Sequence, residues 1–266
     1  MGQQQTTAIT KDLTNISTRD VMLGVFIAIG IALLLKMFFI GMYRIPTGSM
    51  IPTLTSGDYV IVNKVAYAFG LPEKIPFTDI DVGFRSRWYF NNIKQGDIVV
   101  FEFPEPEKFR SAPLFFVKRV IGLPGDTIAV RENQEYFGES ALHQRKLSKQ
   151  LINRTPFAGP LVIPNKGLTV HIDSKNIDLW RDAIQKDGAD VDIMNNVITI
   201  NNNSVSSYTF KNNYYYVMGD NRGNSFDSRF WGLVSEKRIL GKPVLIYWSH
   251  ADGNQILWNR IGTIIH

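Results

Sequence analysis

The sequence has no cysteine among its 266 residues. Thiol catalysis, disulfides and thiolate metal sites are therefore excluded, and nothing indicates the redox compartment. Histidine is also scarce, with His143, His171, His250 and His266 only. These form no HExxH motif and no close pair, so a zinc hydrolase is not expected. The sequence predicts neither a metal site nor a cofactor, and hydrolytic chemistry would have to use other residues.

Runs of charge of one sign are lacking as well. The net charge is +5, and the basic residues are scattered along the chain. A weakly cationic surface favours contact with anionic lipid, and a nucleic-acid partner is not predicted. The length suits one large domain or two small ones.

One long apolar run is present, from Val21 to Tyr43, and only Lys36 interrupts it. At about 1.5 Å per residue, a helix over 21–43 is long enough to cross a bilayer. Ser17 and Asp20 form a capping box at its start. A cleaved signal peptide is the alternative, but no small-x-small site follows Lys36, which favours a retained anchor. Residues 1–20 are predicted to be a flexible tail.

After the anchor, short β-rich runs alternate with Gly, Pro and Asn, which predicts a mainly β domain. The predicted strands are 59–62, 97–103, 114–121, 197–200, 214–218 and 243–248, with a short helix near 177–186. Residues 131–212 are interpreted as a second subdomain inserted into a core formed by 44–130 and 213–266. The aromatic segment between Val65 and Lys94 indicates either interfacial contact with a membrane or ordinary loop packing.

The stretch 43–54 directly follows the apolar run and carries Ser49 between Gly48 and Met50. Pro46 and Pro52 on either side stiffen it and exclude a helix, so Ser49 is presented at a bend. The segment is either a rigid turn or the site of a nucleophile. A nucleophilic serine needs a base, and Pro52 stands where S-x-x-K enzymes have lysine.

Lys118 is the best candidate for that base. In a strand it shares a face with Phe116 and Val120, whereas Arg119 points to the other side. Burial among apolar neighbours favours the neutral amine. To act near neutral pH, the pKa of Lys118 must fall from about 10.4 to about 7–8. The alternative is a strand lysine whose charged end reaches solvent.

A third stretch, 216–232, is dense in Gly, Asn, Asp, Ser and Arg between aromatic residues. Such a composition is typical of an elaborate turn. It is equally typical of a loop that supports a functional site, since few turns need so many hydrogen-bonding side chains at once.

The motifs GSMIPTL, KRVIGLPGD and GDNRGNSFDSRFWG occur in this order after the anchor. Together they resemble the bacterial type I signal peptidases, also called leader peptidases. The resemblance covers 43–66, 95–130 and 213–249, and it does not extend to 1–20, 67–94 or 131–212. It implies a membrane-bound serine endopeptidase that uses a Ser/Lys dyad and no histidine. The implied fold is an antiparallel β catalytic core of signal-peptidase type, preceded by one transmembrane helix.

The resemblance also implies roles for individual residues. Ser49 would be the nucleophile and Lys118 the general base, and the Thr47 hydroxyl would hold the oxyanion together with the Ser49 backbone N–H. The remaining implied residues support the dyad: Ser225 orients the lysine, Asp227 and Arg229 form a supporting pair, and Asp220 and Asn221 fix the loop.

Members of the family cleave after small residues at the last and third-from-last positions of a signal peptide, the Ala-x-Ala preference. By motif position, shallow pockets for these residues would be lined by eight side chains: Ile45, Pro46, Met50, Leu54, Val60, Val100, Phe116 and Val117. For each of them, an ordinary place in the core is the alternative. Substrate would dock by adding a strand to the sheet.

The implied partners are signal peptides of exported precursors and the lipid bilayer, and a monomer is expected. The resemblance implies a single-pass protein of the inner membrane, with tail 1–20 cytoplasmic and domain 44–266 on the periplasmic side. Ser49 follows Tyr43 by six positions, so it lies within about 20 Å of the end of the run.

Two other functions fit parts of the sequence. One is a different Ser/Lys enzyme on a similar β scaffold, such as a self-cleaving repressor, although the anchor and the lack of a DNA-binding module argue against it. The other is a catalytically inactive, membrane-tethered β module that acts as a binding partner in secretion.

Overall fold

A computed structural model describes residues 17–70, 87–104, 114–131, 134–137, 161–194, 197–251, 253 and 255–266. Most of the predicted tail 1–20 lies outside the described residues. So do residues 71–86 of the aromatic segment, and residues 132–133, 138–160 and 195–196 of the predicted subdomain.

Helix α1 spans Thr18–Phe38 and begins as predicted, because Ser17 Oγ accepts a hydrogen bond from the Arg19 N–H at 3.3 Å. The prediction that it continues to Tyr43 is wrong, since Ile40–Arg44 form strand β1. The helix stops where Ile40–Arg44 pair with residues 59–63, and Lys64 satisfies two of the last helix carbonyls. Lys64 Nζ donates to the carbonyls of Lys36 and Met37, at 3.3 and 3.1 Å. The 21 residues of α1 still give a rod of about 31 Å.

The chain is mainly antiparallel β, as predicted. Within the described residues, seventeen strands follow in chain order: β1 Ile40–Arg44, β2 Asp58–Asn63, β3 Ala68–Gly70, β4 Arg87–Tyr89, β5 Ile98–Glu102, β6 Phe115–Gly122, β7 Thr127–Arg131, β8 Gln134–Phe137, β9 Leu161–Val162, β10 Thr169–His171, β11 Val191–Met194, β12 Val197–Ile200, β13 Asn203–Ser204, β14 Ser207–Thr209, β15 Tyr214–Met218, β16 Val234–Ser235 and β17 Ile239–Ser249. The same part of the chain has two further helices, α2 Ile177–Lys186, where a short helix was predicted, and α3 Ser228–Trp231. Glu236–Arg238 and Trp258–Arg260 are short 3₁₀ turns.

The main sheet has seven strands in the order β1-β2-β17-β5-β6-β15-β16. Each neighbouring pair in it is antiparallel. Strand β6 lies between β5 and β15, and its register sets Lys118 opposite Val99 and Arg119 opposite Met218. This register brings the predicted base and the third motif to neighbouring strands.

Smaller sheets, β8-β7-β9, β10-β14 and β11-β12-β13, together with α2, make up the described part of 127–210. Their apolar side chains share one buried cluster with Ile121, Tyr216 and Met218 of the main sheet. Asp187 strengthens this junction, because its carboxylate accepts hydrogen bonds from the hydroxyls of Tyr208 and Tyr214, at 2.7 and 2.8 Å. The inserted segment is therefore packed onto the core over a continuous apolar surface.

The segment around Ser49 is held on both sides by apolar anchors. Ile45, Met50 and Leu54 are buried in one cluster with residues of β2, β5 and β17. A short irregular stretch pinned by such anchors has little conformational freedom. The main sheet therefore supports Ser49 on a rigid base.

Candidate active site

Ser49 and Lys118 meet in space although 69 positions separate them in the chain. Ser49 lies on the turn that follows β1, and Lys118 lies in the middle of β6. Lys118 Nζ is 2.6 Å from Ser49 Oγ, which is a direct hydrogen bond. The two residue types that the sequence analysis paired are thus in contact.

Lys118 is nearly inaccessible, with 4% of its surface exposed. The pKa of Lys118 is lowered to about 8, chiefly by burial; the Asp227 carboxylate opposes this shift, the Arg229 guanidinium adds to it, and the Asp220 carboxylate also opposes it. The Phe116 ring covers the amine, with 5.5 Å between Nζ and the ring centroid. A lysine with this pKa is partly neutral at mildly alkaline pH and can accept a proton.

Thr47 lies beside the predicted nucleophile, on the exposed side of the turn. Its Oγ1 is 3.5 Å from Ser49 Oγ, at the outer limit of a hydrogen bond. The hydroxyl is therefore close to the position where an oxyanion would form, and its role there stays a prediction.

Ser225 is buried, but its hydroxyl makes no hydrogen bond within the described parts of the chain. The predicted bond from Ser225 to Lys118 is thus not formed. Ser225 nevertheless packs close to the nucleophile: a methyl group at Gly219 would collide with both Ser225 Oγ and the Ser49 carbonyl oxygen. Glycine at position 219 permits this close approach.

Asp227 and Arg229 form the predicted pair, and both side chains are completely buried. Arg229 donates from Nε and from a terminal nitrogen to the two Asp227 oxygens, each at 2.8 Å. Asp227 also accepts the Gly219 N–H at 3.0 Å, so the pair holds the start of the loop after β15. Bidentate geometry makes this a strong and directional contact.

Asp220 connects three segments of the site through Arg119, which the sequence analysis did not select. Arg119 donates to both Asp220 oxygens at 2.8 and 2.7 Å, and Thr53 donates to one of them at 2.5 Å. Burial alone would raise the pKa of Asp220, but hydrogen bonds from Arg119 and Thr53 and the charge of Arg119 lower it below its usual value. Side-chain alternation along β6 could have indicated a separate role for Arg119, because it places Arg119 on the face opposite Lys118.

Asn221 contacts the backbone on both sides of the nucleophile. Its N–H donates to the Ser49 carbonyl at 3.0 Å, and its side-chain amide donates to the Gly48 carbonyl at 3.1 Å. The predicted role of Asn221 in fixing a loop therefore extends to the loop that carries Ser49.

A cavity of about 340 Å³ opens at Ser49 and Lys118. Six of the eight predicted wall residues line it: Ile45, Pro46, Met50, Val100, Phe116 and Val117. Leu54 and Val60 are instead fully buried in the cluster that includes Ile45 and Met50. The lining also includes seven residues that were not predicted: Tyr43, Arg44, Gly48, Leu114, Phe115, Asn224 and Phe226.

Comparison with known proteins shows the family of the chain. Residues 18–248 match the family described as signal peptidase, peptidase S26. The chain belongs to this family. Signal peptidase I of Pseudomonas aeruginosa is 29% identical over 250 residues, covering 88% of this chain and 75% of that protein. Signal peptidase I of Buchnera aphidicola subsp. Acyrthosiphon pisum is 31% identical over 269 residues, covering 90% and 79%.

A crystal structure of a signal peptidase I from Enterococcus faecalis V583 aligns with 57% of this chain and 97% of that chain, at 21% identity and a TM-score of 0.27. The family assignment rests on the sequence matches. Membership of this serine peptidase family confirms the predicted recognition and enzyme class.

The buried Asp227–Arg229 pair of this signal peptidase predicts a large effect on stability. Asp227→Ala removes the carboxylate that neutralises a buried guanidinium, which we expect to cost about 3–5 kcal/mol of unfolding free energy. The Arg181–Asp178 pair is a matched control, because its groups are 3.7 Å apart and 42% and 88% exposed. Asp178→Ala should cost about 0–1 kcal/mol. Unfolding of the detergent-solubilised variants measures the free energy that each substitution costs. Equal losses of unfolding free energy would contradict the stabilising role of the Asp227–Arg229 pair.

Proposed function

We propose that this peptidase removes signal peptides from exported precursor proteins by means of a Ser49–Lys118 dyad. The observation that carries the proposal is the 2.6 Å contact between Lys118 Nζ and Ser49 Oγ at the end of an apolar cavity. The names of the related proteins, signal peptidase I, support the substrate class.

The reaction begins when the neutral Lys118 amine accepts the Ser49 proton as Oγ attacks the scissile carbonyl. The resulting oxyanion is held by the Ser49 backbone N–H and the Thr47 hydroxyl. The tetrahedral intermediate then collapses, the peptide C–N bond breaks, and the Lys118 ammonium gives its proton to the departing amine. The signal peptide remains as an ester on Ser49. Lys118 next takes a proton from water, and the resulting hydroxide attacks the ester carbonyl. The bond to Ser49 Oγ then breaks, the signal peptide leaves with a C-terminal carboxyl group, and the Lys118 ammonium returns its proton to Ser49 Oγ.

The preference for small residues follows from the cavity walls near the dyad. Met50 and Val100 line the cavity with buried side chains, so the space they leave for a substrate side chain would be small. In an extended substrate, alternate side chains face the same wall. Small residues at the last and third-from-last positions would therefore both fit, and Leu54 and Val60 would support these walls from behind.

Helix α1 is proposed to anchor the enzyme in the inner membrane. Among the described residues it is the one helix long and apolar enough to cross a bilayer, and its apolar stretch is not covered by the rest of the protein. At its C-terminal end, Phe38 stacks on Phe69, which stacks on Trp88. Trp88 is 60% exposed, as is typical of aromatic residues at a membrane interface. Tail 1–20 would be cytoplasmic and domain 44–266 periplasmic.

This topology predicts the outcome of a protease-protection experiment. In bacterial spheroplasts that express the protein, added protease should digest domain 44–266 and leave an N-terminal tag on tail 1–20 intact. If domain 44–266 is digested only after the spheroplasts are lysed, the proposed orientation is contradicted.

The dyad predicts that Ser49→Ala abolishes cleavage, by at least about 10³-fold, because the attacking oxygen is lost. The substrate is a precursor with Ala at the last and third-from-last signal-peptide positions, and a matched precursor has Phe at the last position. The wild type should cut only the first, with the site read by mass spectrometry. Ser207→Ala, on exposed strand β14, is the control and should retain full activity. Unchanged cleavage by a folded Ser49→Ala protein would exclude the dyad, and no cleavage by the wild type would favour the inactive binding module.

The lowered pKa of Lys118 predicts a rate that rises with pH. Below about pH 8 the amine is protonated and cannot accept the Ser49 proton. The kcat/KM should therefore increase as pH rises through about 8 and then level off. Lys242→Met, which alters a peripheral lysine paired with Asp97, should leave the midpoint unchanged. A rate that is flat from pH 5 to 9 would exclude an amine base.

A further inference from the structure

We propose that Asn221 is the positioning residue that aims the Ser49 backbone N–H at the oxyanion. This inference rests on the proposed function, since it concerns the same dyad. It begins from two hydrogen bonds: the Asn221 side-chain amide donates to the Gly48 carbonyl at 3.1 Å, and the Asn221 N–H donates to the Ser49 carbonyl at 3.0 Å. One residue thus holds both peptide planes that flank the nucleophile.

Because the peptide unit is planar, the hydrogen bond from Asn221 to the Gly48 carbonyl also fixes the direction of the Ser49 N–H. The Gly48 carbonyl and the Ser49 N–H belong to one trans peptide unit, so they point in opposite directions. A donor that holds the carbonyl on the Asn221 side therefore turns the N–H to the other side. Gly48 and Ser49 both line the cavity, and we infer that the N–H, which faces away from Asn221, is the donor offered to a substrate carbonyl there.

The Ser49 N–H has no acceptor within the part of the chain that the structure describes. Backbone N–H groups in folded proteins are nearly always paired. An N–H that is rigidly held and left free beside a reactive hydroxyl is the arrangement that an oxyanion donor requires. The second peptide, Ser49–Met50, is fixed by the other Asn221 bond, so Ser49 cannot rotate about its own backbone to lose this direction.

Asn221 is itself held in place relative to the base. Its neighbour Asp220 binds Arg119 and Thr53. Arg119 follows Lys118 in β6, and Thr53 lies on the segment that carries Ser49. The loop that carries Asp220 and Asn221 therefore contacts the segments of both the nucleophile and the base. Within this loop, Asn221 is the residue that binds the Gly48–Ser49 peptide, whose N–H is the proposed oxyanion donor.

The expected effect of removing the side chain is intermediate. The Ile51 N–H also donates to the Gly48 carbonyl, at 3.2 Å, so the peptide keeps one restraint when Asn221 is replaced. Loss of an oxyanion donor itself typically costs about 10²–10³-fold in rate. Loosening the peptide that carries the donor should cost less, and we expect about 10-fold in kcat. Because the interaction matters only in the transition state, KM should not change.

The experiment compares Asn221→Ala with Asn176→Ala in the full-length, detergent-solubilised protein. Asn176 is the matched control, because its amide donates to the His171 carbonyl at 2.9 Å, far along the chain from the dyad. Asn221→Ala should lower kcat about 10-fold at unchanged KM and unchanged pH midpoint, whereas Asn176→Ala should leave kcat unchanged. If Asn221→Ala lowers the thermal midpoint strongly, Asn221→Asp carries the test, since it retains the size and the backbone N–H but replaces the amide donor.

The binding affinity of a peptide aldehyde provides a second measurement, which would not change if Asn221 had only a structural role. Its carbonyl carbon forms a bond to Ser49 Oγ and its oxygen becomes the tetrahedral oxyanion, which is protonated to a hemiacetal by the proton leaving Ser49. Binding of this aldehyde should weaken about as much as kcat falls, whereas binding of the matching uncleavable peptide amide should stay the same.

Three results would overturn the inference: an unchanged kcat, a rise in KM at constant kcat, or equal weakening of the aldehyde and the amide. A shifted pH midpoint in Asn221→Ala would also overturn it, since that would indicate an effect through Lys118. These outcomes differ from failure of the proposed function. If the proposed function were wrong, a folded Ser49→Ala protein would still cleave the precursor.

Discussion

The burial of one lysine amine against one serine hydroxyl is the constraint on which the site depends. Reducing the pKa of Lys118 from 10.5 to about 8 costs the folded state about 3 kcal/mol below pH 8. The sign follows from proton binding: between pH 8 and 10.5 the unfolded chain holds this proton and the folded chain does not, so the cost fades as pH rises. Burial is the main cause of the lowered pKa, and the Asp227 carboxylate limits how far the pKa falls.

Strand β6 organises this environment because its two faces serve different purposes. Lys118 points toward Ser49, and Arg119 points toward Asp220. The pairing of β6 with β15 brings the loop that begins at Gly219 to the same place. A single strand therefore carries the proposed base and the cation that ties the nucleophile segment to the supporting loop. Because side chains alternate along a strand, Lys118 and Arg119 lie on opposite faces of β6 and contact different parts of the site.

The apolar helix and the site are coupled through the edge of the main sheet. Strand β1 begins within two residues of the end of α1 and pairs with β2, and Lys64 follows β2 and satisfies the last carbonyls of the helix. The segment from β1 to Ser49 is short, and Ile45 within it is buried. If α1 crosses the membrane as proposed, the reactive hydroxyl is held close to the bilayer, where a signal peptide still inserted in lipid presents its cleavage site.

The sequence by itself determined the mainly β class, the approximate positions of six strands, the helix start, the family and the residue types of the proposed dyad. Each of these depends on local patterns or on a motif, which can be read along the chain. Tertiary structure alone decided where α1 ends, since strand pairing of Ile40–Arg44 outweighs their apolar helix pattern. It also decided that Arg119 belongs to the site and that Ser225 makes no bond to Lys118. These features depend on contacts between residues distant in the chain, and such contacts are set by strand register and packing.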